Sequence, residues 1–187
     1  MNKTLKLLIF SDIFVLSGFG LIAPIMAIFI DSNLTDGSIF SAGLASAIFL
    51  ITHASLQLLF SYKFRPKDRL WMLKLGTLII ALVPVCYILS TSIYHIYIVE
   101  FIYGVGAAFS YPAWSSLFTS NLENGKRGFQ YSVYSSSVGI GTALTAAGGA
   151  WLAEQIGFQW VFVMTGVMSM IGLFILFKLQ KKVLKKT

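Results

Sequence analysis

The chain of 187 residues is 57% hydrophobic and only 11% charged, with a mean hydropathy of +0.80. A soluble domain of this size has too little interior to hide so much apolar surface, and a secretory leader would supply a single short apolar stretch rather than several. Apolar runs long enough to cross a hydrocarbon core of roughly 30 Å as helices recur along the chain, and segments such as "LWMLKLGTLIIALVPVCYIL" lack the every-second-residue alternation of a barrel strand. The expected class is an all-α polytopic membrane protein, one domain over 1–187 with six transmembrane helices at about 5–30, 38–62, 70–91, 94–119, 127–153 and 158–178.

The first span opens after Lys3 and Lys6 and holds Asp12 in "SDIFVLSGFGLIAPI", about 10 Å deep at 1.5 Å per residue. Gly18, Gly20 and Pro24 follow; the glycines permit close helix approach and the proline permits a bend. Asn33 begins an "NLT" sequon, a pattern common by chance. Span 2 carries His53 and, four residues on and therefore on the same face, Gln57. The loop at 63–69 is basic, and span 3 holds the lone Cys86, which allows no intramolecular disulfide and reads as a small core or lipid-facing residue.

Span 4, "IVEFIYGVGAAFSYPAW", places Glu100 in an otherwise apolar or small run, far from any basic residue. Tyr103, Gly104, Gly106, Pro112 and Trp114 follow. Span 5, "GIGTALTAAGGAWLAEQIG", is nearly stripped of side-chain bulk, and Gly139, Gly141, Gly148 and Gly149 mark a surface for another helix, either within the unit or at a dimer interface. Trp71, Tyr94, Tyr97, Trp151 and Trp160 fit an interfacial belt.

Charge placement sets an orientation. All 14 Lys and Arg lie at the termini, in loops 63–69 and 120–126, or at the flanking helix ends, while the loops near 31–37, 90–94 and 154–157 have none. Both termini are thus expected in the cytoplasm, in the cell's inner (plasma) membrane. The +7 charge then reflects topology and anionic lipid rather than nucleic acid.

Ionisable groups inside a membrane are costly and usually face a bundle interior or a wet path. Asp12, Glu100, His53 and Gln57, with Tyr103 and Trp114, are the candidates for a cavity or a proton route. Each group also has a structural alternative: for Asp12 a hydrogen bond near the inner interface, to Lys6 or the 4–5 loop cations; for Glu100 a helix-bonded carboxyl; for His53 an interhelical donor. Spans 1 and 4 share an order of acid, Gly-x-Gly and proline. Separated by three spans, they would cross in opposite senses, the layout of a 3+3 inverted repeat. No metalloprotease, nucleophile-elbow, P-loop or dinucleotide signature is present, so no enzyme activity, cofactor or metal is expected.

The chain resembles, over essentially its whole length, the amino-terminal six-helix half of the major facilitator superfamily of secondary transporters. "GFGLIAPIMAIFI" is similar to its first span. "VEFIYGVGAAFSYPAWSSLF" is similar to its fourth-span motif, with Glu100 where an arginine usually stands. "GKRGFQYSVYSSSVGIGTALTAAGGAWLAEQIGFQWVF" is similar to the 4–5 loop and the fifth-span motif, without that motif's frequent proline. The loop 2–3 motif departs most: in "FSYKFRPKDRLWMLKLG" Arg65 stands near the usual aspartate place, and Arg65, Asp68 and Arg69 are its gating candidates. The resemblance implies that spans 1 and 4 line a central cavity, spans 2 and 5 join two halves, and spans 3 and 6 lie outside. It implies a small-molecule substrate moved by alternating access, with protons as a candidate coupling ion through Glu100 or Asp12. A second six-helix half would complete the fold, and a parallel homodimer would supply it. A non-transporting interaction subunit and a lipid flippase or scramblase are the alternatives.

Overall fold

The computed structural model describes residues 1–63 and 69–179, which form seven helices: α1 (Lys3–Ile22), α2 (Met26–Asn33), α3 (Ile39–Lys63), α4 (Arg69–Ile88), α5 (Ile93–Ser120), α6 (Arg127–Ile156) and α7 (Phe158–Phe177). Five of them, α1, α3, α4, α5 and α7, are long and apolar enough to cross a membrane. At 30 residues α6 has the length, but its serines, threonines and glycines make it the least apolar of the long helices. The expected continuous first span is broken: Ala23, Pro24 and Ile25 form a turn between α1 and α2, because proline lacks the N–H that would continue the ladder and its ring crowds the preceding turn. Pro84 and Pro112, by contrast, stay inside α4 and α5.

Helix ends follow from local chemistry. The Asn2 side chain accepts from the Leu5 amide at 2.7 Å and caps α1, and Ser92 caps α5. Gly157 separates α6 from α7 at a φ of 86°, a conformation only glycine adopts readily.

Packing centres on α1 and α5. The first lies against α6 and α7, the second against α3 and α4, and α4 meets α7 to join the two groups. Small residues bring α4 and α5 into close contact: a Cβ on Gly76 would lie 2.5 Å from the Gly106 carbonyl oxygen. The largest buried cluster gathers Ile22, Phe29, Tyr87, Ile96 and Phe162 from α1, α2, α4, α5 and α7. Both ends are tied. Asn2 donates to the Asn121 carbonyl at 3.3 Å, and the Met1 ammonium, 2.7 Å from Glu123, hydrogen-bonds that carboxyl and holds it below the usual range. At the other end the Thr35 amide donates to the Thr91 carbonyl at 3.1 Å, and the Ile93 amide donates to Thr35 at 3.2 Å.

Burial is uneven. On α3 only Ser41, Ala42 and Ala45 are buried, and on α6 only Gln130 and Gly149. Ile39, Leu44, Leu50, Ile51 and Leu58 of α3, and Ile140, Leu144 and Trp151 of α6, are exposed.

Candidate functional site

A cavity of about 430 Å³ lies between the middle of α1, the middle and C-terminal part of α5 and the first turns of α6. Eight of its twelve lining residues come from the two central helices: Asp12, Val15 and Leu16 from α1, and Tyr103, Ser110, Tyr111, Trp114 and Ser115 from α5. Phe49 of α3, Ile80 of α4, and Tyr131 and Tyr134 of α6 complete the wall. Its one ionisable carboxyl is Asp12, and no Lys, Arg or His is among its lining residues.

Helical spacing explains this wall. Asp12, Val15 and Leu16 lie three and four apart on one face of α1, and Tyr103, Ser110, Tyr111 and Trp114 repeat at intervals of seven, eight and eleven along α5. Tyr131 and Tyr134 are likewise one turn apart on α6. The Tyr134 hydroxyl donates to Asp12 Oδ2 at 2.6 Å, the one hydrogen bond to that carboxylate among the described residues. Trp114 fixes the ring stack behind it: its indole lies 4.7 Å from both the Phe118 and the Tyr134 rings, and its Nε1–H donates to the Leu8 carbonyl at 3.4 Å. Tyr103 is held between Phe19 at 4.8 Å and Phe49 at 4.3 Å. The rings of Tyr111 and Tyr131, 50% and 57% exposed, remain open.

The other sequence candidates lie elsewhere. Glu100 is 7% exposed and accepts a 2.6 Å hydrogen bond from the Tyr87 hydroxyl of α4, so the carboxyl without a basic neighbour has a neutral partner instead. It lines neither this cavity nor a second one of about 360 Å³ at the opposite end, walled by Asn33, Tyr87, Ser90, Gln159 and Trp160 among others. His53 packs on the Phe49 and Tyr111 rings at 5.8 and 5.1 Å with its Nε2 buried and unbonded, and it stands behind the cavity wall. Gln57 is half-buried and away from the cavity lining. Asp12 is bonded to a tyrosine rather than to Lys6 or a loop cation.

Gly139, Gly141, Gly148 and Gly149, four of the five glycines of α6, divide by face. A Cβ on Gly149 would run into the Leu21 carbonyl and one on Gly141 would meet Ser17 Oγ at 2.5 Å, so these two serve packing on α1 within the chain. Gly139 and Gly148 face open space. Arg69 starts α4, while Arg65 and Asp68 lie outside the described residues. No group of His, Cys, Asp and Glu that could hold a metal occurs among the described residues.

The residue reading missed Phe49, Tyr111, Tyr131 and Tyr134. A usable signal was present for Tyr111, which stands well inside α5, whereas Tyr131 and Tyr134 lie in the first turns of α6, where an interfacial belt would also place them.

A family model described as Major Facilitator Superfamily matches residues 8–187. The chain belongs to the major facilitator superfamily. It is therefore a multi-pass membrane protein, and that membership points away from enzymatic chemistry. Among solved structures 18 chains match, and one of them is described as the in meso crystal structure of the POT family transporter PepTSo. Similarity to it has a TM-score of 0.77 at 16% identity, over 95% of this chain and 37% of that one, a likeness of fold. This superfamily member thus spans little more than a third of that transporter's length. No curated protein matches the sequence.

Proposed function

We propose that this chain is a six-helix half of a secondary transporter that moves a small solute by alternating access, with the Asp12 cavity as its solute site. The observation that carries this reading is the cavity, a partly polar chamber set between α1 and α5 in an otherwise apolar bundle, with a carboxylate on its wall. Coupling to protons would run through the same carboxylate, which meets the cavity where Glu100 does not.

Helix pairing supports the 3+3 plan. Exchanging α1 with α5, α3 with α6 and α4 with α7 turns the α1–α6 contact into α5–α3 and the α1–α7 contact into α5–α4, and returns α4–α7 to itself. In this reading α6 is the fifth of six spans, its polarity suited to protein contact more than to lipid. The basic helix ends face the cytoplasm of the inner membrane.

The second half docks across α3 and α6, the two least covered long helices, with Gly139 and Gly148 at the seam. A second copy in parallel orientation supplies it, with α6 of one copy against α3 of the other, because a twofold interface is self-complementary. Cysteines on both seam helices (Gly148→Cys on α6 with Leu44→Cys on the exposed face of α3, in a Cys86→Ser background) are expected to crosslink two copies in native membranes. Persistent monomer would remove the homodimer and leave a separate half as the partner. Solute uptake by the purified protein in proteoliposomes tests transport itself, and no uptake of any solute class would reassign the fold to a non-transporting subunit.

A further inference from the structure

We infer that the cavity selects organic cations, amines or quaternary ammonium groups carrying an apolar body, held between the Asp12 carboxylate and the open rings of Tyr111 and Tyr131. This assignment rests on the reading of the cavity as a solute site and names the class of solute.

Charge decides first. Asp12 is the one ionisable carboxyl on the wall, with no Lys, Arg or His beside it. An anion would meet that carboxylate uncompensated in a region of low dielectric, where repulsion is strong. A zwitterion would bring a carboxylate of its own with no lining base to receive it. A neutral solute would gain at most a hydrogen bond from the carboxylate. A positive group is the complement of this wall.

Ring placement decides next. An aromatic face attracts a cation within about 6 Å of its centroid, more strongly once water is excluded. Trp114 and Tyr103 have their faces taken by neighbouring rings, so they act as rigid walls. Tyr131 and Tyr111 line the cavity, are 57% and 50% exposed, and make only tilted or edge contacts with Phe118, Tyr134 and His53, not the close stacking that covers Tyr103. The Tyr134 hydroxyl occupies one carboxylate oxygen and fixes its direction, leaving the other for a ligand. Val15, Leu16 and Ile80 receive the apolar body, and about 430 Å³ accommodates a group larger than a simple alkylamine.

The test uses benzyltrimethylammonium, a permanent cation, against phenylmethanesulfonate, an anion of similar outline, with binding measured on the purified protein in lipid nanodiscs. Saturable binding of the cation and none of the anion is expected. Asp12→Asn should weaken the cation about tenfold or more, and Tyr111→Leu about threefold to tenfold. Glu100→Gln, at a carboxyl that lines neither cavity, should stay within about twofold. Should Asp12→Asn fail to fold, the Tyr111→Leu variant carries the test, since that ring is half exposed and its loss opens no core. Equal binding of the two probes, no binding of the cation, or full affinity in both Asp12→Asn and Tyr111→Leu would overturn the assignment. Asp12-dependent binding without movement across a proteoliposome would leave the cation site standing and defeat only the transport reading.

Discussion

Asp12 and Glu100 are both carboxyls within apolar helices, and each accepts a 2.6 Å hydrogen bond from a tyrosine hydroxyl. Their surroundings differ. Asp12 shares a chamber with Tyr111, Tyr131 and two serines near the basic ends of the helices, whereas Glu100 lines neither described cavity and sits with Tyr87, whose ring borders the second, among Ile96, Val99 and Phe162. The same donor–acceptor pair therefore serves two purposes. Around Glu100 it satisfies a polar group that the fold has closed over, and around Asp12 it aims a carboxylate into open space. Burial of the partners, more than the identity of the acid, separates a structural pair from a site.

The contrast is broken or sharpened by substitution on each side. Affinity for benzyltrimethylammonium should show the largest separation: Asp12→Asn loses about tenfold or more, and Glu100→Gln stays within about twofold. Comparable losses in the two variants would erase the distinction. Stability should separate in the opposite sense. Tyr87→Phe strands Glu100 in the core and is expected to cost about 1–3 kcal/mol, while Tyr134→Phe, where cavity water replaces the lost donor, costs less than about 1 kcal/mol. Thermal unfolding in one detergent reads both, and a larger cost for the Tyr134 variant would show that the inner pair is structural too. The smallest effect is predicted for Tyr103→Phe, which changes cation affinity by less than about twofold because both faces of that ring are already covered.

Much of the helical layout was legible because long apolar runs are set by the bilayer and not by tertiary detail. Pro24 was read as a bend, and the structure makes it a break between α1 and α2. The sequence could not place the partners of the intramembrane acids. Glu100 has no Lys or Arg nearby in the sequence, and its partner Tyr87 is neutral and on another helix, so charge counting could not find it. Asp12 and Tyr134 are 122 residues apart and meet only when α1 packs on α6. Tyr103 and Trp114 do line the cavity, but His53 and Gln57 do not, since a polar residue's depth along a helix says nothing of the face it occupies. The glycines of α6 were legible as a packing surface, whereas their division into Gly141 and Gly149 against α1 and Gly139 and Gly148 outward depends on how the helix is rotated.

The most direct test of the whole account is uptake of radiolabelled benzyltrimethylammonium into proteoliposomes holding the purified chain, its Asp12→Asn variant or its Glu100→Gln variant. Uptake by the parent chain and by Glu100→Gln, with loss in Asp12→Asn, is the predicted result. Loss in Glu100→Gln with uptake intact in Asp12→Asn would move the function to the closed pair and contradict the assignment of the cavity.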